Sequence, residues 1–280
     1  MPARLPQDLE QCVAAALRED LGSGDLTALL VPLREATARI VTRENAVLCG
    51  RPYAEAVFRA LDPSVRSEWG CDDGDRLSAG QTLCALHGPA RSLLTGERTA
   101  LNFLQTLSAT ATQAARYVEA VEGTGCTILD TRKTLPGLRL AQKYAVACGG
   151  GRNHRLGLYD GILIKENHIA AAGSIAAAVA AARQVSGTTP VEVEVESLGQ
   201  LGEALDARAD IVMLDDFSLE DLRSAVAINR SHVSPAKLEA SGGVDLDTVR
   251  AIAGTGVDFV SVGAITKHVR AIDLSMRFDD

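Results

Sequence analysis

The sequence predicts an α/β chain: a parallel α/β barrel in its C-terminal part, preceded by an α+β domain with a largely antiparallel sheet. Three observations carry this. Beyond Gly123, six apolar β-like runs alternate with helical runs, at the short spacing of parallel crossover units. Before Gly123, helices and short strands mix without a repeat. One late run then places Glu192, Glu194 and Glu196 between Val191, Val193 and Val195. A doubly wound sheet is the alternative, but its two faces are covered by apolar helices, and three in-strand acids there are costly. In a barrel the valine side packs on helices and the glutamate side faces the interior and its mouth.

Taken in order, Leu5–Leu21 reads as an amphipathic helix, with Leu9, Val13, Ala16, Leu17 and Leu21 at three- and four-residue steps. Gly22-Ser23-Gly24-Asp25 stops it. Ala36–Val47 alternates as a strand, Ala54–Ala60 forms a short helix, and Asp73-Gly74 and Gly80 mark turns. Thr95 opens a long helix to about Val121 as its N-cap, which puts Arg98 in the first turn. A cation is disfavoured at that end of the helix dipole. The barrel strands are expected at Cys126–Asp130, Gly161–Lys165, Val191–Glu196, Ile211–Leu214, Leu238–Ser241 and Phe259–Val262. Helices are expected between them at Leu138–Cys148, Ser174–Val185, Leu198–Ala207, Leu219–Asn229 and Leu246–Ala253.

Composition narrows the function. The chain has 280 residues, 46% hydrophobic and 23% charged, and a formal net charge of −8. That acidity argues against general nucleic-acid binding. No signal-peptide pattern opens the sequence. The longest weakly apolar run, Ile169–Ala182, is shorter than the roughly 18–20 residues of a membrane span and reads as a small-residue helix against a sheet. The expectation is a cytoplasmic protein with no membrane partner. None of the six cysteines forms a C-x-x-C pair, and Cys84 with His87 lacks a second ligand pair, so they read as free thiols in a reducing compartment.

Within this acidic chain, residues 130–168 form a cationic island holding Arg132, Lys133, Arg139, Lys143, Arg152, Arg155 and Lys165 against only three acids. Such an island is a focus for a small anion. Arg132-Lys133 follows one expected strand and Lys165 ends another, where α/β enzymes place their chemistry. Glu194 and Asp215 sit near the ends of successive strands. They either hold Mg²⁺ or sugar hydroxyls, or pair with Lys133 or Lys165 across the barrel. Ser241-Gly242-Gly243, meeting a helix near Asp245, and Val262-Gly263-Ala264 form two glycine turns on late strands, a phosphate-receiving arrangement. His154-Arg155 follows Gly149-Gly150-Gly151, as a backbone bent round a ligand or as a flexible loop. His168 is left unassigned.

Thr131-Arg132-Lys133-Thr134, Pro136-Gly137, Lys143-Tyr144-Ala145-Val146, Cys148-Gly149-Gly150-Gly151, Asn153-His154-Arg155, Asp160 and Ile164-Lys165-Glu166-Asn167-His168 follow one another in this order. With Gly96-Glu97-Arg98-Thr99 upstream and the late acids and glycine turns downstream, the series resembles the quinolinate phosphoribosyltransferase family, also called nicotinate-nucleotide pyrophosphorylase (carboxylating). The resemblance implies an N-terminal α+β sandwich, residues 1–108 completed by 269–280, and an incomplete, TIM-like α/β barrel at 109–268. It implies a type II phosphoribosyltransferase of de novo NAD biosynthesis. Phosphoribose would pass from phosphoribosyl pyrophosphate to quinolinate with Mg²⁺ required, giving nicotinate mononucleotide, pyrophosphate and CO₂.

By the same resemblance, Arg132, Arg155 and a third arginine, Arg98, clamp the substrate carboxylates, with His154 beside the ring and Thr131 in the substrate site. Arg98 reaches in from the neighbouring subunit of a homodimer or larger even oligomer. Lys133 and Lys165 balance charge, Glu194 and Asp215 take the ribose or Mg²⁺, and the turns at Ser241, Gly242, Gly243, Val262, Gly263 and Ala264 take the 5′-phosphate. Three rival readings stay open: a phosphoribosyltransferase for nicotinate or a different aromatic acid, a Schiff-base aldolase using Lys165, and a non-catalytic anion-binding or regulatory protein.

Overall fold

The computed structural model describes residues 4–279. Along the chain these are α1 (Leu9–Leu21), a single 3₁₀ turn (Ala28–Leu30), β1 (Glu35–Thr42), β2 (Ala46–Val47), α2 (Arg51–Leu61), β3 (Arg66–Trp69), β4 (Arg76–Leu77), β5 (Thr82–Pro89) and α3 (Ala90–Ala120). Then come β6 (Thr127–Leu129), α4 (Arg139–Cys148), β7 (Ile162–Ile164), α5 (Glu166–Ala172), α6 (Ile175–Val185), β8 (Val191–Val195) and α7 (Leu198–Asp206). The chain ends with β9 (Ile211–Asp215), α8 (Leu219–Ser231), β10 (Lys237–Ser241), α9 (Val249–Ala253), β11 (Phe259–Ser261), α10 (Ala264–Lys267) and β12 (Leu274–Phe278). Two compact units result. One holds residues 1–115, 134–150 and 266–280, the other 116–133 and 151–265. The segment carrying α4 thus packs with the first unit, although its sequence lies between two strands of the second.

The first unit is built on an antiparallel sheet of order β12-β1-β5-β3. β12 comes from the far end of the chain and pairs with β1 from Ala38↔Phe278 to Thr42↔Leu274. α1, α2 and α3 supply the apolar cover. Leu93, Leu101, Leu104 and Leu107 recur on one side of α3 and are buried, and Tyr53 of α2 stacks on Phe103 at 5.0 Å. The expected N-cap at Thr95 is corrected here: α3 starts at Ala90, directly after β5, so Thr95 and Arg98 lie inside the helix. The Thr95 hydroxyl instead donates to Asp25 at 2.9 Å. Gly96 does not break the helix because it serves packing. A Cβ there would lie 2.6 Å from Phe58, so its absence lets α2 close on α3. The dipole argument about Arg98 falls with the misplaced helix start.

The second unit is a six-stranded parallel sheet of order β6-β11-β10-β9-β8-β7. All six expected strands form, in an incomplete barrel: among the described residues no ladder joins β7 to β6. Val191, Val193 and Val195 are wholly buried on the side that meets α6 and α7, while Glu192 and Glu194 face the interior. Glu196, expected in line with them, is corrected, because β8 ends at Val195 and leaves it exposed. The expected helix Ile169–Ala182 is two helices, because Gly173 takes φ +89° and ends α5. Only α6 buries its apolar face, through Ile175, Ala178, Val179 and Ala182. The helix expected from Leu246 starts at Val249, since Asp245 Oδ1 accepts from the amides of Asp247 and Thr248 and holds them in a turn.

Candidate active site

The C-terminal ends of the parallel strands surround a cavity of about 260 Å³. Thr131, Arg132 and Lys133 enter it from the segment after β6, and His154 and Arg155 from the loop after α4. Lys165, Glu194, Asp215 and Ser241 enter from the ends of β7, β8, β9 and β10. Register explains the convergence. Ile164 pairs with Val193, which sets Lys165 beside Glu194, and Ser241 pairs with Asp215. Residues at the same level of a parallel sheet share a face.

The ion pair foreseen as one alternative is present, since Lys165 Nζ meets Glu194 Oε2. His168 receives the structural role its neighbour needed: its Nδ1 accepts the Lys165 amide at 3.0 Å and caps α5.

Asp130 positions the most basic part of the cavity, and sequence reading had counted it only as a charge. It is fully buried at the end of β6 and accepts from Asn153 Nδ2 at 2.7 Å and from the His154 amide at 2.8 Å. The Arg152 amide donates to Ile128 at 2.9 Å. Asp160 closes the same loop by accepting from the amides of Leu156 and Gly157. The loop is therefore stitched to the sheet rather than flexible. It brings Arg155 close to Arg132, and burial together with that like charge holds the Arg155 guanidinium below its ordinary pKa. Two cations pressed together in one cavity are relieved by an anion between them.

The glycine turns frame the cavity without lining it. Gly242 has φ +97°, and a Cβ there would fall 2.3 Å from Asp216 Oδ1, so no other residue fits. Gly243 also has positive φ. A Cβ on Gly263 would lie 3.0 Å from Lys133 Cδ, so its absence seats that lysine. The Val262 amide is taken by Leu129 O at 2.9 Å, and Ala264 begins the short α10. Arg98 belongs to the first unit, where it is exposed on α3, and is not part of this cavity's lining.

Two further acids in the second unit, Glu192 and Glu239, were not foreseen as site residues. His154 Nδ1 accepts the Arg155 amide at 2.7 Å, which leaves Nε2–H to donate to Glu192 at 2.9 Å, with Glu239 3.5 Å away. Burial lowers the His154 pKa, but the two carboxylates outweigh it and hold it above its ordinary value. Burial pushes the Glu239 carboxyl up to about 8, the Glu192 charge adds to this, and His154 and the Ser261 hydroxyl oppose it. Glu239 lies mid-strand, and its partners come from β8 and a distant loop, so no local pattern marks it.

Two clusters of His, Cys, Asp or Glu side chains have donor atoms within 4.8 Å of one another among the described residues, Cys49-Asp73-Cys148 in the first unit and His154-Glu192-Glu239 in the second, and neither is assigned a metal. Glu194 and Asp215, the expected Mg²⁺ pair, instead stand on the cavity wall as hard oxygen donors.

Comparison with known proteins decides the family. The models of the quinolinate phosphoribosyl transferase N-terminal and C-terminal domains match residues 25–108 and 110–277. The chain belongs to the quinolinate phosphoribosyl transferase family. Within that family it is 44% identical over 260 residues to the probable nicotinate-nucleotide pyrophosphorylase [carboxylating] of Bacillus subtilis, covering 92% of this chain and 89% of that one. It is 43% identical over 269 residues to the nicotinate-nucleotide pyrophosphorylase [carboxylating] of Mycobacterium leprae, covering 94% and 95%. The solved nicotinate-nucleotide pyrophosphorylase from Francisella tularensis superposes with a TM-score of 0.94 at 48% identity, over 100% of this chain and 99% of that one. The two quinolinate phosphoribosyl transferase domain models meet near 109, inside α3.

Proposed function

We propose that this protein transfers phosphoribose from phosphoribosyl pyrophosphate to quinolinate and decarboxylates the product to nicotinate mononucleotide, as a cytoplasmic enzyme of NAD biosynthesis. The observation that carries this reading is one cavity in which Arg132, Lys133, Arg155 and Lys165 face Glu194 and Asp215. A dianionic aromatic acid and a pyrophosphate ester supply the anionic charge such a site calls for, and arginine forks match carboxylates in geometry.

Arg132 and Arg155 clamp the two ring carboxylates, which turns the pyridine nitrogen towards the sugar. Glu194 and Asp215 hold the ribose hydroxyls, and the turns at Gly242-Gly243 and Gly263 admit the 5′-phosphate close to the backbone. Departure of pyrophosphate builds positive charge on the sugar carbon. Lys133 and Lys165 neutralise the leaving group. Mg²⁺, when bound with the donor against Glu194 and Asp215, supplies further charge neutralisation for the pyrophosphate. The site works by position and electrostatics more than by acid–base chemistry. The active form is a homodimer or larger even oligomer in which Arg98 serves a neighbouring site. Leu26, Leu29, Leu30 and Leu33, all largely exposed, supply apolar surface for such an assembly.

The test is release of CO₂ and pyrophosphate with quinolinate against nicotinate. A site holding cations for a second carboxylate leaves them unpaired when that group is missing. Quinolinate is therefore expected to be used about a hundredfold better, or more, in kcat/KM. Equal values for the two acids would overturn the diacid reading.

A further inference from the structure

The strands of the second unit carry a cavity at each end. Besides the mouth cavity, one of about 320 Å³ lies among the N-terminal ends, where Ile162, Pro190, Ile211 and Phe259 line it. His154, Arg155 and Glu239 line both cavities, so this group forms the partition between them. Glu239 is wholly buried. Neither of its carboxyl oxygens has a hydrogen bond of good geometry. Its polar neighbours are His154 Nε2 at 3.5 Å, Glu192 and the Ser261 hydroxyl. A carboxyl so placed keeps its proton, because an uncompensated buried charge is costly. The other ionisable groups around it are Arg155, Cys126 just before β6, and the mouth's Arg132, Lys133, Lys165, Glu194 and Asp215. Register sets Glu239 opposite Met213, itself opposite Glu194, so Glu239 stands at the level of Glu194, two residues before Ser241, which pairs with Asp215.

We propose that Glu239 is the general acid that protonates the pyridine ring after decarboxylation and that it is reloaded from the cavity at the opposite end of the strands. The proposal rests on the reaction proposed above. In that reaction the bond between ring C2 and its carboxylate breaks, CO₂ leaves, and the electron pair stays on C2 beside the quaternised nitrogen. That pair takes the Glu239 proton to form the C2–H bond, leaving Glu239 as carboxylate. Water in the second cavity returns a proton to Glu239. One solvent proton is consumed per turnover, and no bulk water enters the mouth while the ring is carbanionic.

Rapid-quench single turnovers separate the two chemical events. In Glu239→Gln, pyrophosphate release is expected within twofold of wild type and C2–H formation slowed at least tenfold. Wild-type C2–H formation should fall as pH rises, with pyrophosphate release unaffected, and the variant should lack this alkaline limb. Ile211→Phe, narrowing the second cavity, should leave the first turnover intact and slow later ones severalfold. Equal slowing of both steps in Glu239→Gln, or unchanged C2–H formation, overturns the assignment. Should that variant fail to fold, absence of the alkaline limb in wild type overturns it alone. If wild type releases no pyrophosphate with quinolinate and the donor, the failure belongs to the proposed reaction instead.

Discussion

Glu239 ties the stability of the protein to pH. Its folded pKa is raised, so between the ordinary carboxylate value and about 8 the folded chain keeps a proton that the unfolded chain releases. The stabilisation is complete below the unfolded pKa and is lost as pH rises through the folded one. Glu239→Gln keeps the shape and removes the titration. By differential scanning the variant should match wild type near pH 5 and exceed its Tm by roughly 2–5 °C near pH 9. A constant difference between the two at both pH values would mean that Glu239 is charged in the fold throughout. At this scale the residues legible in the sequence were those at strand ends: Lys133, Lys165, Glu194 and Asp215. Asp130 and Glu239 were not legible, because partners such as Asn153, His154, Glu192 and Ser261 come from segments distant in the chain.

Among the elements, α2 and α3 show how a local breaker is overruled. Thr95-Gly96 has the look of a helix start, yet α3 passes through it without interruption. The isolated cost of a mid-helix glycine is about 1 kcal/mol. Close packing of Phe58 and Leu61 against the bare Cα offsets it, because a Cβ would sit 2.6 Å from Phe58. Gly96→Ala should therefore destabilise, despite its better helix propensity, by about 1–3 kcal/mol as an overpacked contact. Urea unfolding would show a lower midpoint at unchanged slope. A stabilised variant would mean that α2 moves aside freely. The parallel strands were read correctly for the opposite reason: the Val-Glu alternation of Val191–Val195 has period two, and the strand formed keeps it, with the valines buried against helices.

For the molecule as a whole, the decisive question is which subunit each cation serves. Lys165 lines the cavity of its own unit, while Arg98 is exposed on a helix of the other. If Arg98 acts in a neighbouring site, Arg98→Ala folds and assembles but loses most activity, and so does Lys165→Ala. Mixed together, half the randomly assembled dimers are hybrids. Each hybrid has one site with both lesions and one with neither, so activity should return to about a quarter of wild type under two-fold symmetry. Mass spectrometry would verify subunit exchange. No recovery after exchange would place Arg98 in its own subunit's chemistry or in none.

By itself the sequence determined the parallel alternation, the inward-facing Glu192 and Glu194, the cations at strand ends and the family, because each rests on local periodicity or on ordered motifs. The tertiary structure decided that the Glu239 carboxyl is raised by burial, which glycines serve contacts rather than turns, where α3 begins, and that α4 packs outside the unit of its flanking strands. Those outcomes depend on burial and on partners far away in the chain. A pattern within one segment does not specify the dielectric around a carboxyl or the atom that would meet an added methyl group.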